Sequence, residues 1–514
     1  RLTWKTLGWS DFVEDKAAQR GRGAVVDYRL SPRIRAEWDE ATCSQLVFLF
    51  NEVNEKMQGD VRGLFRLYGR ARDGADPVLR VASIDVGGGT TDLIINTYRA
   101  EGDNAVLIKP TQDFREGFTK AGDDILREVI ELLILRAVQE ALRAAGVADP
   151  KSVLTRLFGA DWINQPGQKR HLRRQFATQI AVPAALDLLH AYEETDLKRG
   201  NRLYSKTIAE ALGPERRPSD AVVDYVDRAA KEAGARDFRL MDVPIRVMAD
   251  AVDNLVRADV GQVLGQLCEI VALSDCDLLL LTGRPSRLPA VPGSVLAKLP
   301  VPPDRIVAMH EFRVGGWYPF KEPSGFIRDP KTTVVVGGIL CALAEGHLEG
   351  FFLDTSTLRP RSTARFIGVM EQTNEIKKHK LLFEPIDVLS PAEQERQTTL
   401  DFLGPLSFGF RQLDAERWIA TPYYRLDFAN ADAREAMRPH LPAKVQLGYR
   451  FAQELDEDEI APHADRQRDE GEFWLDGIES KSGAPLPNSM LELRLQTLRS
   501  GDGYWLDTGV FNIV

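Results

Sequence analysis

A chain of 514 residues with 66 Lys and Arg against 76 Asp and Glu carries a net charge of −10. That balance gives no global attraction to phosphate backbones and sets aside a dedicated nucleic-acid binder. With 44% apolar and 28% charged residues, the composition is that of a folded chain of about three to four domains, neither disordered nor disulfide-stapled.

The longest nearly uncharged apolar stretches, residues 334–343 and 278–281, are too short for the roughly 20 residues that span a bilayer. Residues 1–20 lack the continuous apolar core of a secretory signal. The chain starts at Arg1 rather than Met, so a longer protein is expected. Cys43, Cys268, Cys276 and Cys341 form no C-x-x-C pair and have no metal-ligand spacing with the seven histidines. They read as small core residues in a reducing, cytoplasmic compartment.

In chain order, residues 37–72 have a helical pattern of apolar positions. Residues 78–85 read as a buried strand, followed by Gly87, Gly88 and Gly89 and a second strand at 93–98, together a hairpin. A broad apolar stripe over 123–145 predicts a helix. Residues 150–260 continue mainly helical, broken by Pro166, Pro183, Pro214, Pro218 and Pro244, and another helix follows at 260–271. Residues 277–281 read as a strand, and 332–346 as a strand or buried helix rich in small residues. Beyond about 350 the period is two. Strands are expected at 418–428, 444–451, 491–498 and 504–514, in a separate β-rich region. The acidic run at 454–459 reads as a solvated loop.

The most informative stretch is Asp85-Val86-Gly87-Gly88-Gly89-Thr90-Thr91-Asp92. Three glycines between buried strands suit either a tight turn or the approach of a ligand to bare backbone N–H groups, the arrangement that cradles phosphate oxygens. Asp85, leaving a buried strand, is placed to hold a hydrated Mg²⁺, and Thr90 and Thr91 add hydroxyls. No Gly-Lys-Ser/Thr follows, and a strand rather than a helix comes next, so neither a Walker loop nor a dinucleotide fingerprint is present. Gly122 and Asp123 open the long helix, a helix start suited to anion or ribose contacts. A strand ending in Thr282 turns through Gly283, Arg284, Pro285, Ser286 and Arg287, the kind of turn where α/β folds place nucleotides. Arg287 could stack its guanidinium on a base; the alternative is a solvent-facing arginine.

These segments, in this order, resemble the actin-like ATPases, the superfamily of actin and the DnaK-type chaperones. DVGGGTTD at 85–92 resembles the second phosphate motif. GDVRGLFRLYG at 59–69 resembles the first connecting helix, 120–124 the segment after the hairpin, 282–289 the adenosine motif, and 329–338 the second connecting helix. The wording TGRPSRLPAV and the β-rich tail further resemble the bacterial virulence factor SrfB family, of which the chain reads as a C-terminal half.

The resemblance implies an α/β fold of actin-like (ribonuclease H-like) lobes. Residues 1–80 would hold part of a first lobe with its connecting helix. Residues 81–350 would form the second lobe, with a helical insertion at about 125–260, and 351–514 a β-rich region. It implies ATP and Mg²⁺ as cofactors. Gly87, Gly88, Gly89 and Thr90 would cradle phosphates beside Thr91, and Asp85 would hold the metal. Asp60 would orient the attacking water, Gly122 and Asp123 would touch ribose or phosphate, and Gly283, Arg284, Ser286 and Arg287 would flank adenosine. The function implied is an ATP-binding conformational switch, with hydrolysis left open, delivery to a host in view, and an unidentified protein partner engaged through the β-rich region. The alternative is a non-catalytic scaffold with a degraded site. A sugar-kinase-like reading lacks any further substrate signature.

The sequence departs from the pattern in three places. Nothing in residues 1–80 resembles the first phosphate hairpin. Residues 25–29 supply a strand and Asp27 but no glycine turn, so the first subdomain either precedes Arg1 or is missing. Arg284 and Ala121 each stand where the chaperones carry glycine.

Overall fold

The computed structural model describes residues 38–72, 76–102, 107–160, 167–344, 350–355, 365–383, 395–450, 472–496 and 505–514, with a few single positions between them. The expectations at 25–29 and 454–459 lie outside these residues. The protein is mixed α/β.

Its organising element is strand β1 (Pro77–Val86), buried over its last six residues. An apolar run covered on both faces belongs in the middle of a sheet. It pairs antiparallel with β2 (Thr91–Glu101), which pairs antiparallel with β3 (Leu107–Phe118). On its other side run two parallel strands, β4 (Leu278–Thr282) and then β5 (Ile306–Ala308). The short β6 (Phe352–Leu353) lies parallel to β3, and Arg70–Ala71 pairs with the start of β1, completing seven strands in the order β5-β4-β1-β2-β3-β6.

The two-residue period of β1 divides the lobe into two cores. Ala82, Ile84 and Val86 enter one, with Leu279 and Leu281 from β4. Leu79 and Val81 enter the other, with Leu278 and Leu280. The first core is closed by helices of the insertion. The second is closed by α1 (Glu40–Asn51) and α6 (Thr332–Ala344). Between these in sequence come α2 (Val61–Tyr68), α3 (Gly122–Val129, continued to Ala144), α4 (Val182–Glu193) and α5 (Ala249–Leu273). So the 332–346 segment is a helix. The insertion also carries a two-stranded ribbon, Leu203–Thr207 with Pro244–Met248, which the helical pattern did not foretell.

Helices α1 and α6 cross at very close range. A Cβ built on Gly337 would collide with the carbonyl of Cys43. Just above this crossing, the Ser44 hydroxyl lies 2.7 Å from that of Thr333 and 3.3 Å from that of Thr282. All three hydroxyls are buried and tie α1, α6 and β4 together.

Strand β3 was not expected from the sequence. Pro110 and Lys109 interrupt its apolar period, and β6 covers only Leu107 and Ile108, so most of β3 is an edge, where proline and charge are tolerated.

The β-rich region holds two antiparallel sheets around one core that includes Phe402, Phe408, Tyr449 and Phe473. It docks on the lobe through Trp418, which joins the first core, and through Thr421, whose hydroxyl donates to the Gly117 carbonyl at 2.8 Å. The strand expected at 504–514 is instead a helical turn, Trp505–Thr508, and an extended tail. Phe511 is fully buried beside Phe158, and the Asn512 amide donates to Glu131 at 2.8 Å. The alternating apolar residues of this tail fill the helical core rather than a sheet face. All four cysteines are free and buried. Among the described residues no helix is long and apolar enough to cross a membrane.

Gly337→Ala is expected to destabilise the fold by about 1–3 kcal/mol through overpacking against α1. Gly338→Ala, whose new Cβ meets only the Cys43 sulfur at 4.0 Å, is expected to be neutral or slightly stabilising in a helix interior. Thermal melts of the pair check this; equal melting temperatures would refute the close crossing.

Candidate functional site

The β1–β2 turn holds the three glycines. Gly87 N–H donates to the Thr90 carbonyl at 2.8 Å, closing the turn. The turn leans on the start of α3: Gly122 N–H donates to the Gly87 carbonyl at 3.0 Å, and Asp123 N–H to the Gly88 carbonyl at 2.7 Å. Gly122 has no room for a side chain, because a Cβ would meet Pro285 at 2.7 Å and the Gly87 carbonyl at 3.0 Å. The residues 87–89, 122–123 and 283–287 expected to meet are therefore brought to one end of the sheet. The outward N–H groups of Gly88 and Gly89 have no acceptor among the described residues. A Cβ at Gly89 would meet nothing within 4 Å, so this backbone is open to an approaching group.

The two threonines divide their roles. Thr91 is buried, and its hydroxyl donates to the Lys120 carbonyl at 2.7 Å, which staples β2 to the start of α3 and removes it from ligand contact. Thr90 donates to Asp92 at 2.9 Å.

Asp85 stands opposite Asp92 across the β1–β2 register and beside Thr282 on β4. Directly opposed like charges on one sheet face repel. Asp85 is only 4% exposed, and its Oδ1 has no hydrogen-bond partner among the described residues. Gly283, at φ +80°, faces that oxygen with no side chain between. Burial first, then the carboxylates of Glu40, Asp92 and Asp39, push the Asp85 carboxyl up to about 7, against the pull of Lys331. Burial likewise raises Asp39 and Asp92, and Arg115 draws both back. Four carboxylates from α1, β1 and β2 thus surround the open turn, with Lys331 at the start of α6.

Asp39 caps α1, accepting the Thr42 N–H at 2.6 Å, so helix capping brings Asp39 and Glu40 to the site. Asp60 is not brought there. It caps α2, accepting Gly63 N–H at 2.7 Å. Arg62, two residues on, donates to the Gly102 carbonyl at 2.7 Å, just past the far end of β2. Eleven strand residues separate that end from the turn, roughly 34 Å. The helix that crosses the sheet beneath the site is α1 and not α2, and a local cue marked it: Asp39-Glu40 precedes the apolar run that begins at Ala41, the pattern of a helix start.

The third turn is Arg284–Arg287. Ser286 is fully buried and donates to the Gly283 carbonyl at 2.7 Å. Arg284 donates to both carboxylate oxygens of Glu193 on α4, at 3.3 and 3.1 Å, and Arg287 reaches the same carboxylate at 3.4 Å. Arg287 also donates to the Arg328 carbonyl at 3.3 Å. Both guanidinium groups converge on one largely buried acid, and a base-stacking pose for Arg287 would require it to leave that pair.

A family model described as virulence factor SrfB matches residues 1–512. The chain belongs to the SrfB virulence factor family. No curated protein matches it. In this SrfB-family chain, three groups of residues spread over positions 87–287 meet at one sheet end, and the carboxyl at their centre has an oxygen that no described residue satisfies.

The raised carboxyl has a consequence for stability. A folded-state value of about 7 against the ordinary 3.8 means the folded form holds its proton more tightly than the unfolded form. The stability this gives is complete below 3.8 and is lost as pH rises through 7, a loss on the order of 4 kcal/mol. Asp85→Asn removes the titration. The variant is expected to melt above wild type at about pH 8, with the gap closing toward about pH 4; a gap independent of pH would show that Asp85 ionises normally.

Proposed function

We propose that the lobe is an actin-like nucleotide-binding unit that acts as a conformational switch. The observation that carries this is the convergence of the Gly87–Gly88–Gly89 turn, the α3 start and the Gly283 turn around the unsatisfied oxygen of Asp85. Three antiparallel strands followed by two parallel strands on the far side of the first support a ribonuclease H-like lobe. The close crossing of α1 and α6 matches the place of the superfamily's two connecting helices, with α1 rather than α2 as the first.

The residues fit Mg·ATP on the phosphate side. The free N–H groups of Gly88 and Gly89 would donate to phosphate oxygens, and Asp85 would join a hydrated Mg²⁺ shell. Among the described residues no three His, Cys, Asp or Glu side chains form a metal cluster, which suits a cation that keeps its waters and takes phosphate ligands. A bound cation would supply the charge that lets Asp85 ionise. Glu40, which acts on Asp85 through space, is the candidate to orient a water; Asp60 is too distant. The adenosine side rests on Gly283, Ser286 and Arg287.

A second reading, a non-catalytic scaffold, is favoured by one observation. Arg284 and Arg287 are already paired with Glu193, which closes the turn that would meet adenosine.

Calorimetry of the full chain with Mg·ATP separates the two. The switch requires micromolar binding that Asp85→Ala abolishes. Glu40→Gln should keep binding and slow any hydrolysis about 10²-fold or more, while Asp60→Asn should change neither. Absence of binding by the wild-type chain would leave the scaffold.

A further inference from the structure

The helical insertion carries a second feature, remote in sequence from the glycine turn. Helix Gly167–Phe176 and the C-terminal tail wall a cavity of about 420 Å³. Its charged lining is one-sided: Arg170, Arg173 and Arg174, with His171 beside them, against Asp507 alone. Such a concentration of positive charge stands out in a chain whose net charge is −10.

Arg173 is the unusual member. It is 4% exposed. Its Nε donates to the Thr508 carbonyl at 3.1 Å, but its Nη1 is buried with no partner among the described residues. A buried charge without a counter-ion is costly, and burial works against its proton, with Tyr225 opposing and Arg170 adding to that effect. Asp507 does not relieve it: that carboxylate lies 3.9 Å from Arg174, and both are exposed. Arg170 makes no ion pair among the described residues.

We propose that this cavity binds a small phosphate-bearing anion, anchored by the buried guanidinium of Arg173 and flanked by Arg170 and Arg174. A planar guanidinium presents paired N–H donors that match phosphate oxygens, and an anion supplies the charge the protein withholds. The ligand also bears on the tail. Gly509 adopts φ +64°, and a Cβ there would sit 2.5 Å from the Arg173 carbonyl, so tail and helix touch along the cavity wall. An anion held between them would fasten the tail, whose Phe511 plugs the insertion core. The site shares no residue with the glycine turn and stands whether or not that turn binds ATP.

The test is calorimetry of the full chain with inorganic phosphate and with pyrophosphate, on wild type, Arg170→Gln, Arg173→Met and Asp85→Ala. The expected result is saturable pyrophosphate binding that Asp85→Ala retains, that Arg170→Gln weakens about tenfold, and that Arg173→Met abolishes. Hydrogen exchange in residues 505–514 should slow when pyrophosphate is added. If Arg173→Met loses its near-ultraviolet dichroism, the exposed pair Arg170→Gln with Arg174→Gln decides instead, with a loss of about 10²-fold. No saturable binding at millimolar anion would overturn the proposal. So would binding that survives the rim substitutions, or binding lost only in Asp85→Ala. Association with phosphatidic acid vesicles without binding of soluble phosphate would also overturn it, in favour of a lipid headgroup.

Discussion

The alternation of β1 decides where everything else in the lobe must stand. Its even-numbered residues Ala82, Ile84 and Val86 enter the insertion core, and Leu79 and Val81 enter the core under α1 and α6. Asp85 has the odd parity, so its carboxyl is carried to the α1 face at the strand's end, where the apolar core stops. A shift of one residue would carry Asp85 among the insertion helices and turn Ile84 to the α1 face. The apolar pattern that fixes the sheet therefore also fixes a carboxyl that no described residue satisfies.

From that carboxyl the surrounding choices follow. Gly283 must lack a side chain, because any Cβ there would collide with the Val86 carbonyl and crowd Asp85. Gly117 is likewise bare opposite Asp92, whose Oδ1 would lie 2.5 Å from a Cβ. Thr282, next to Asp85 in the β4 register, turns its hydroxyl to Ser44 and so to Thr333. The same three-hydroxyl contact sits one helical turn from the Gly337–Cys43 crossing. Asp85 is thus linked through Thr282 to the buried hydroxyl contact that joins α1 and α6.

Much of this was legible from local pattern. The buried strands at β1, β2 and β4 announce themselves as short apolar runs, and the glycine turn, the α3 start and the Gly283 turn could be joined because each carries backbone constraints visible as glycine. The misplacement of the acidic residue has a different origin. Asp60 precedes a short amphipathic helix and a Tyr-Gly pair, and Asp39 precedes a longer one; both are good caps. Which of two capped helices crosses the sheet depends on burial. Helix α1 is buried on nearly every position, α2 on three of eight, and a helix buried all round sits beneath a sheet rather than at its margin. The pairing of Arg284 and Arg287 with Glu193 was out of reach, since it joins positions about ninety residues apart through the fold of the insertion. The tail was misread for a related reason: apolar residues two apart, Phe511 and Ile513, are as compatible with an extended strap in a helical groove as with a strand, and only the partner surface distinguishes them.

The Glu193 pair ties the turn after β4 to the insertion. Glu193 ends α4, which belongs to the insertion, while Arg284 and Arg287 belong to the turn after β4. Tyr192, its neighbour, donates to Asp253 on α5 at 2.6 Å and accepts the Ala290 N–H at 2.9 Å. These buried contacts fasten the Gly283 turn to α4 and α5. The tail fastens the same insertion from the other side through Phe511 and through Asn512 on Glu131. The insertion is therefore held between the glycine-rich end of the sheet and the end of the chain.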